Sequence, residues 1–574
     1  MRENDKNESN LTSKNSARKI STRKDKKKLF RGILQGAFLA FVVYLALSKI
    51  FTFDKYDPYT EVSNEDKGFI AVSYFGAADE SEGKLIGEKD LDEHLTALKN
   101  QGYVTITQQD VIDYYKEGKP LPERALYLMF EDSRSDTGVY AHDLLVKHNL
   151  IATMFSYGNS FEKRDSKFIK GSDMVGLRES SYWELATNGY RLEYINVFEY
   201  EDQFVGQLTP LEYLDTVTDV DAIYNHYLMD YIRDENSIPL ETYDAMKERI
   251  DYDYRKMKEL YESEVGGVPA VYGLIHSDTG QFGSNDNVSD INEEWIYSLF
   301  EMNFNRSGYS LNTRENSIYD LTRIQPKPHW STNHLLMRIS DDIKQELDFV
   351  EGDTNQKEQW EISKGVAEFK DKQIVLTSTP YGEGLMRLKD SEQIKDVHIS
   401  VILKGNKTGS ESIYLRANED FSKGVKIEVI EDKLKVYEAA NGEQKEIVSI
   451  DLESIEGEYP ELEEMRSRLF EISLEENNLS IKIDKEIIID EQIVESNEAG
   501  SIYLESKQIE QEYIKRGLAD EIYDARFEDF VITQYTETDD EKIIFDNRLK
   551  GVNKWLHEAS EMVDSVIDWF IDNL

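Results

Sequence analysis

At 574 residues the chain is too long for one ordinary core, so two or more domains are expected. It contains no cysteine, which excludes disulfides, thiolate catalysis and cysteine-based zinc sites. The formal charge of −46 is uneven: residues 1–31 carry eleven Lys/Arg against four Asp/Glu, a net +7, which leaves −53 on the rest. So acidic a body repels phosphate backbones and anionic headgroups, and nucleic acid is excluded as a partner.

The basic tail, residues 1–28, leads into an uncharged run from Gly32 to Ser48. With its flanks, 29–53, this run reaches the roughly 20 residues that cross a bilayer. Lys24, Lys26, Lys27, Lys28 and Arg31 precede it, whereas Lys49 and Lys55 are the nearby basic residues after it. The positive-inside bias therefore predicts a single-pass transmembrane helix with its N-terminus in the cytoplasm and the bulk of the chain outside the cell membrane. A cleaved signal peptide ending near Ala46-Leu47-Ser48 is the alternative, and it exports the body equally.

After a linker at 54–67, short apolar runs alternate with helical periodicity: GFIAVSY, DLDEHLTALKNQG, YVTIT, QQDVIDYYKEG, RALYLMF, GVYAHDLLVKHN, IATMFSY. This alternation predicts a distorted β/α barrel over 68–345, continued by SYWELATNG, YRLEYIN, a long helix near Leu240–Val265, VPAVYGLI and NEEWIYSLFEMNF. From about 356 to 540 the pattern changes to alternating strands with tight turns, as in VHISVILK, SIYLRAN and LFEISLEENNLSIKID. That predicts an antiparallel β-sandwich, giving an α/β plus all-β chain. Residues 546–574 place Leu549, Val552, Leu556, Val563 and Phe570 on one face of an amphipathic helix, which packs on its own domain or docks a partner.

In a β/α barrel the reactive groups follow the carboxyl ends of the strands. RALYLMF delivers Glu131, Asp132, Ser133 and Arg134, with Asp136 just beyond. Neighbouring carboxylates leaving a strand point to opposite sides, so one can face a substrate while the other holds a metal or cation. The bland alternative has Asp136 capping the next helix and Arg134 neutralising the acids. YRLEYIN contributes Glu193 and Asn196. VPAVYGLI ends in His276-Ser277-Asp278, where His276 is a candidate acid, base or ligand. His226, in YNHYLMDY, is read on a helix with Asp230 at i+4, and KPHWSTNHLL, with His329 and His334, as a loop and helix. His94, His142, His148 and His557 are read as surface or boundary residues of helices.

With those residues in view, Gly68 to about Ile339 resembles the polysaccharide deacetylase (NodB-homology) family, in particular the branch acting on poly-N-acetylglucosamine. The likeness rests on KNQGYVTITQQDVIDYYKEGKPLPERALYLMFED, then LLVKHNLIATMFSYG, then LTRIQPKPHWS. It implies a catalytic base at Glu131 and a metal ligand at Asp132, where the family has two aspartates. The family's paired metal histidines align with Ile195 and Glu199, and isoleucine cannot bind a metal. A divalent metal cofactor therefore stays open, with Asp132 as its retained ligand. The sandwich resembles concanavalin/laminin-G-type jelly rolls, which binds sugar or merely packs on the barrel.

Together with the predicted membrane span, the resemblance implies a membrane-anchored hydrolase of an exported or cell-wall polysaccharide. Glu131, Asp132 and His276 are its candidate catalytic residues, and Arg134, Glu193, Asn196, Asp278 and His226 its candidate substrate contacts. Two alternatives stand beside it. One is an inactive deacetylase-like protein that binds glycan or scaffolds polysaccharide-synthesis proteins. The other is a metal-independent glycosidase pairing Glu131 with Glu193 or Asp278, which needs carboxylates about 5–5.5 Å or about 6.5–9.5 Å apart.

Overall fold

The computed structural model describes residues 55–549, apart from 60, 64, 82, 132, 164–166, 200–202, 218–221, 278–279, 307, 441, 453–464, 510–519 and 536–540. The expected span at 29–53, Asp132, Asp278, His557 and nearly all of the expected C-terminal helix lie outside them. Among the described residues no helix is long and apolar enough to cross a membrane.

The first sheet is built from continuous apolar runs, the pattern of parallel strands covered on both faces. In chain order the first module begins with β1 (Phe69–Tyr74), the short parallel pair β2 (Gly76–Ala78) and β3 (Leu85–Gly87), which make a small sheet of their own, then β4 (Val104–Thr105), β5 (Ala125–Phe130), β6 (Ala152–Ser156) and β7 (Trp183–Thr187). β8 (Tyr194–Glu199), β9 (Gln203–Leu208) and β10 (Ile223–His226) follow, then β11 (Val271–Gly273), β12 (Met302–Phe304) and β13 (Leu311–Asn312). The spatial order is β12-β11-β7-β6-β5-β1-β13, with β4 beside β5, parallel except for β13. Between β12 and β1 runs the segment Leu321–Ile324. It bridges Phe304 through Leu321 and Val72 through Ile324, both parallel, and so fills the seam of the barrel.

Side chains alternate across these strands. Phe69, Ala71, Tyr127, Met129, Phe155, Ala186, Met302, Phe304 and Leu321 form an inner core. Ile70, Val72, Tyr74, Leu126, Leu128 and Phe130 face outward into the larger core shared with the helices. Helix ends are fixed by ordinary caps. Thr107 and Asp110 form a capping box at helix Gln108–Glu117, which stops at Gly118 in the left-handed conformation, and Ser331 caps helix Thr332–Ile343.

Two expectations are corrected here. YRLEYIN is not a barrel strand: β8 pairs antiparallel with β9 and β10 in a separate three-stranded flap. YNHYLMDY is not helical, because β10 ends at His226 and a turn follows, so His226 and Asp230 share no helical face. The long helix runs Tyr243–Glu264.

Among the described residues from Trp360 to Asp546, fifteen strands, β14 to β28 in chain order, make two antiparallel sheets around one apolar core. The sheet nearer the barrel contains β15 (Val366–Lys370), β16 (Gln373–Thr377), β18 (Val397–Gly405) and β27 (Asp524–Tyr535), ordered β15-β16-β27-β18. Its inner residues Ala367, Phe369, Ile374, Leu376, Ala525 and Phe527 fill the sandwich. The alternate set, including Glu368, Val375, Thr377, Asp524 and Arg526, faces the barrel.

A buried ion cluster ties the two together. His334 Nε2 lies 2.9 Å from Asp520 and its Nδ1 3.2 Å from Asp524. Arg338 pairs with Asp520 at 3.1 Å and Glu521 at 2.5 Å, and Ser331 and Thr377 donate hydroxyls to Asp524. Facing carboxylates hold His334 protonated, raising it to about 9 against the cost of burial. His94 is likewise no boundary residue: it is buried between Tyr74 and the Trp330 carbonyl.

Candidate functional site at the barrel mouth

The inward phase set by Tyr127 and Met129 continues to Glu131, just past β5. The same phase brings Ser73 inward from β1 and Arg323 inward from the seam. Arg323 grips both carboxylate oxygens, Nε to Oε1 at 2.5 Å and Nη2 to Oε2 at 2.8 Å, and Ser73 donates its hydroxyl to Oε1. Arg323 also donates to the Asn305 carbonyl. Glu131 is 5% exposed and Arg323 2%. The carboxylate expected at the rim of an open cleft is thus a buried, bidentate ion pair, which explains why an acid is tolerated at the top of an apolar barrel.

Above that pair the inward phase of Phe155 continues to Tyr157, half-buried and close enough to Glu131, Arg323 and Tyr194 to feel their charges. Burial first, then the Glu131 charge, pushes its hydroxyl well above the usual range. The flap supplies Tyr194 and Tyr224, and helix Pro210–Thr216 supplies Tyr213. These three rings meet pairwise with centroids 4.7–4.9 Å apart. His276 stands against them, 5.3 Å from Tyr224 and 6.1 Å from Tyr194. Its φ of 62° is unusual for a histidine, a strain that is held only where the surroundings enforce it.

His276 makes no side-chain hydrogen bond to any described residue. Burial pushes its imidazole well below the usual range, and Arg306, His226 and Lys84 push the same way, so it is neutral at pH 7. Arg306, just past β12, makes no hydrogen bond or ion pair through its side chain among the described residues, and its Nε is fully buried. In a chain of charge −46, an arginine with no carboxylate beside it among the described residues is an unusual arrangement.

The remaining expected contacts do not join this cluster as substrate ligands. Asn196 is occupied by the turn after β10: it donates to the Tyr231 carbonyl at 2.9 Å and accepts from the Arg233 amide at 2.8 Å. Glu193 is held by Arg191 at 2.8 Å and by Gln207. Since Glu131 and Glu193 are each committed to an arginine, they do not form a free glycosidase pair. Arg134 pairs with Asp136 at 2.5 Å. Asp136 sits in the first turn of helix Ser135–His148 and is not its cap. His226 is fully buried, and its Nδ1 accepts from the Leu228 amide, which leaves Nε2 to donate to the Arg191 carbonyl at 3.4 Å. Burial lowers it to about 4, a packing role.

The donor set does not suit a hydrolytic metal. Ile195 is a fully buried hydrocarbon, and among the described residues no group of three His, Asp or Glu side chains gathers as ligands would. Only Glu199 keeps an oxygen at the two aligned positions, and Asp132 lies outside the described residues. Tyr157, Arg306, Tyr213, Tyr224 and Arg323 were not singled out from sequence. Looking just past each apolar run, applied to ATMFS and MNF, points to Tyr157 and Arg306.

No protein-family model matches the chain. It is 23% identical over 217 residues to the poly-β-1,6-N-acetyl-D-glucosamine N-deacetylase of Escherichia coli K12, covering 36% of this chain and 30% of that protein. The match thus spans less than a third of the length of that curated relative. Among solved structures, the Streptococcus pyogenes deacetylase PplD in complex with acetate aligns with 48% of this chain and 99% of its own, at 12% identity and a TM-score of 0.34. The carbohydrate-binding module CBM66 of Bacillus subtilis aligns with 30% of this chain and 94% of its own, at 15% identity and a TM-score of 0.23. By sequence the chain is similar to polysaccharide deacetylases, and solved polysaccharide deacetylases stand among its structural neighbours.

Proposed function

We propose that this chain is a polysaccharide-binding protein on a deacetylase-like scaffold, held outside the cytoplasm by its N-terminal segment, and that it no longer performs metal-assisted deacetylation. The observation that carries this is the state of Glu131. A general base must be free to take a proton, whereas here both oxygens are bonded to Arg323 and one also to Ser73. Ile195 at an aligned ligand position supports the same conclusion.

The mouth above it is suited to holding sugar. Tyr157, Tyr194 and Tyr224 offer ring faces and hydroxyls, and neutral His276 and Arg306, which has no side-chain partner among the described residues, offer polar groups to glycan oxygens. The similarity to a poly-β-1,6-N-acetyl-D-glucosamine deacetylase makes that polymer the first ligand to try.

The test is calorimetric titration of the full chain with β-1,6-linked N-acetylglucosamine oligosaccharides, alongside an acetate-release assay with zinc or cobalt. We expect saturable binding, weakened at least tenfold by Tyr194→Ala and by Arg306→Met, and no acetate above the buffer control. Metal-dependent acetate release that disappears in Glu131→Gln would overturn the proposal in favour of a hydrolase. Protease accessibility of the sandwich in intact cells checks the topology, and a protected sandwich would refute export.

A further inference from the structure

The charges at the barrel mouth do not balance. Glu131, the carboxylate that β5 brings there, is taken by Arg323 and Ser73. Arg306 has no such match. Its backbone N–H donates to the Ser277 carbonyl at 2.8 Å, which sets it beside His276, and its charge acts on both His276 and Tyr194. Its Nε is sealed inside the protein, whereas its two terminal nitrogens are not, and neither is bonded to a described residue. Lys84, whose Nζ lies 5.6 Å from the centroid of the Phe75 ring, adds its charge to the field on His276.

The neutral groups around Arg306 are open as well. The ring nitrogens of His276 and the hydroxyls of Tyr157, Tyr194 and Tyr224 make no hydrogen bond to a described residue, and none of these atoms is sealed. The mouth therefore offers aromatic faces, neutral polar groups and one half-buried guanidinium whose free edge points outward.

Ligand classes differ in how they meet that set. A metal ion or an ammonium is repelled by Arg306. A neutral saccharide satisfies the rings and hydroxyls but leaves the charge unanswered in a partly dried site. A nucleic acid or polyphosphate meets the acidic body along its whole length. A uronate answers each group: its ring stacks on Tyr194 or Tyr224, its hydroxyls reach His276 and Tyr157, and its planar carboxylate brings a single charge and two oxygens to the two terminal nitrogens of Arg306. Repulsion from the acidic body is screened within ~8 Å at physiological salt, so it slows the approach of an isolated carboxylate without cancelling its contact. Resting on the reading of the mouth as a saccharide site, we propose that this site selects glycans that carry a carboxylate, as a uronic acid does, and that Arg306 is the residue that reads it.

The test compares one sugar with and without its charge. Hyaluronan tetrasaccharide, which alternates glucuronate with N-acetylglucosamine, and the same tetrasaccharide with its carboxylates converted to amides are titrated calorimetrically into the full chain, beside a neutral N-acetylglucosamine tetrasaccharide. The acid should bind about tenfold more tightly than its amide, the difference between a charge-assisted and a neutral hydrogen bond. Arg306→Gln keeps a donor and loses the charge, so the two forms should then bind alike. Tyr194→Ala should weaken both by the same factor and leave their ratio unchanged. Equal affinity of acid and amide for the parent overturns this proposal and leaves the saccharide site standing. An acid supplied by Asp132 or Asp278, which lie outside the described residues, would give that result. A preference that survives Arg306→Gln also overturns it, because the charge is then read elsewhere. If neither these sugars nor the neutral tetrasaccharide binds, the mouth is no saccharide site and both readings fall.

Discussion

Glu131 at the barrel mouth and Glu368 at the junction are carboxylates of nearly equal burial, 5% and 7% exposed. Glu131 accepts two bonds from Arg323 and one from Ser73, whereas Glu368 accepts none from the described residues. The two therefore store free energy in opposite senses. The first is a structural tie whose removal damages the fold, and the second is a standing cost to the fold. An acid at the end of a strand is free for chemistry only when its bonds are missing, and those of Glu131 are not.

The largest expected effect tests the tie. Arg323→Met leaves Glu131 uncompensated in the barrel interior and should destabilise the protein by about 3–5 kcal/mol, read as a lower midpoint in urea. The double variant Arg323→Met/Glu131→Leu should recover much of that loss. If the single variant stays within about 0.5 kcal/mol of the parent, Glu131 has another means of support and is free for chemistry after all.

A third cluster is intermediate, since at the junction His334 is fully partnered but can titrate. Its pKa is raised from 6.5 to about 9, so its contribution is complete below about pH 6.5 and is lost as pH rises through about 9. Asp524, lowered to about 2, contributes above about pH 3.8 and is lost on descent through 2, and Asp520 moves in the same direction. The junction should therefore be firmest between about pH 4 and 6.5, then lose roughly 3 kcal/mol by pH 9. Thermal melts from pH 6 to 9 should show this slope, and His334→Asn should flatten it. A slope that survives the substitution assigns the effect to other groups.

The contrast among these acids bears on what the sequence alone reveals. RALYLMF reads as a buried strand because both faces are covered, and the place of Glu131 follows from the end of that run. Its partner does not, since Arg323 lies 192 residues further on and meets it only through the seam. YRLEYIN was misplaced because the flap strands are short and half-exposed, as in Gln203–Leu208, and carry no period that separates them from barrel strands. YNHYLMDY has helical spacing, but pairing of β10 with β8 overrides that local preference. The sandwich was legible from alternation such as that of Val397–Gly405. The junction was not, because Glu368 is one polar residue of an alternating strand until the barrel covers it.

The smallest effect is also the one that most sharply separates the two acids. Glutamine at position 131 removes the charge that Arg323 requires and should destabilise. Glutamine at position 368 removes a charge that nothing in the described structure fully meets. Because burial raises Glu368 from 4.5 to about 7, the native carboxyl costs stability progressively as pH rises through that interval. Glu368→Gln should thus match the parent near pH 4.5 and exceed it by about 1–2 kcal/mol at pH 8, allowing for relief by neighbouring Lys370 and by water at the junction. Urea midpoints at the two pH values measure this directly. A loss of stability at pH 8 would mean that Glu368 is already satisfied, and that it belongs with Glu131 among the structural ties.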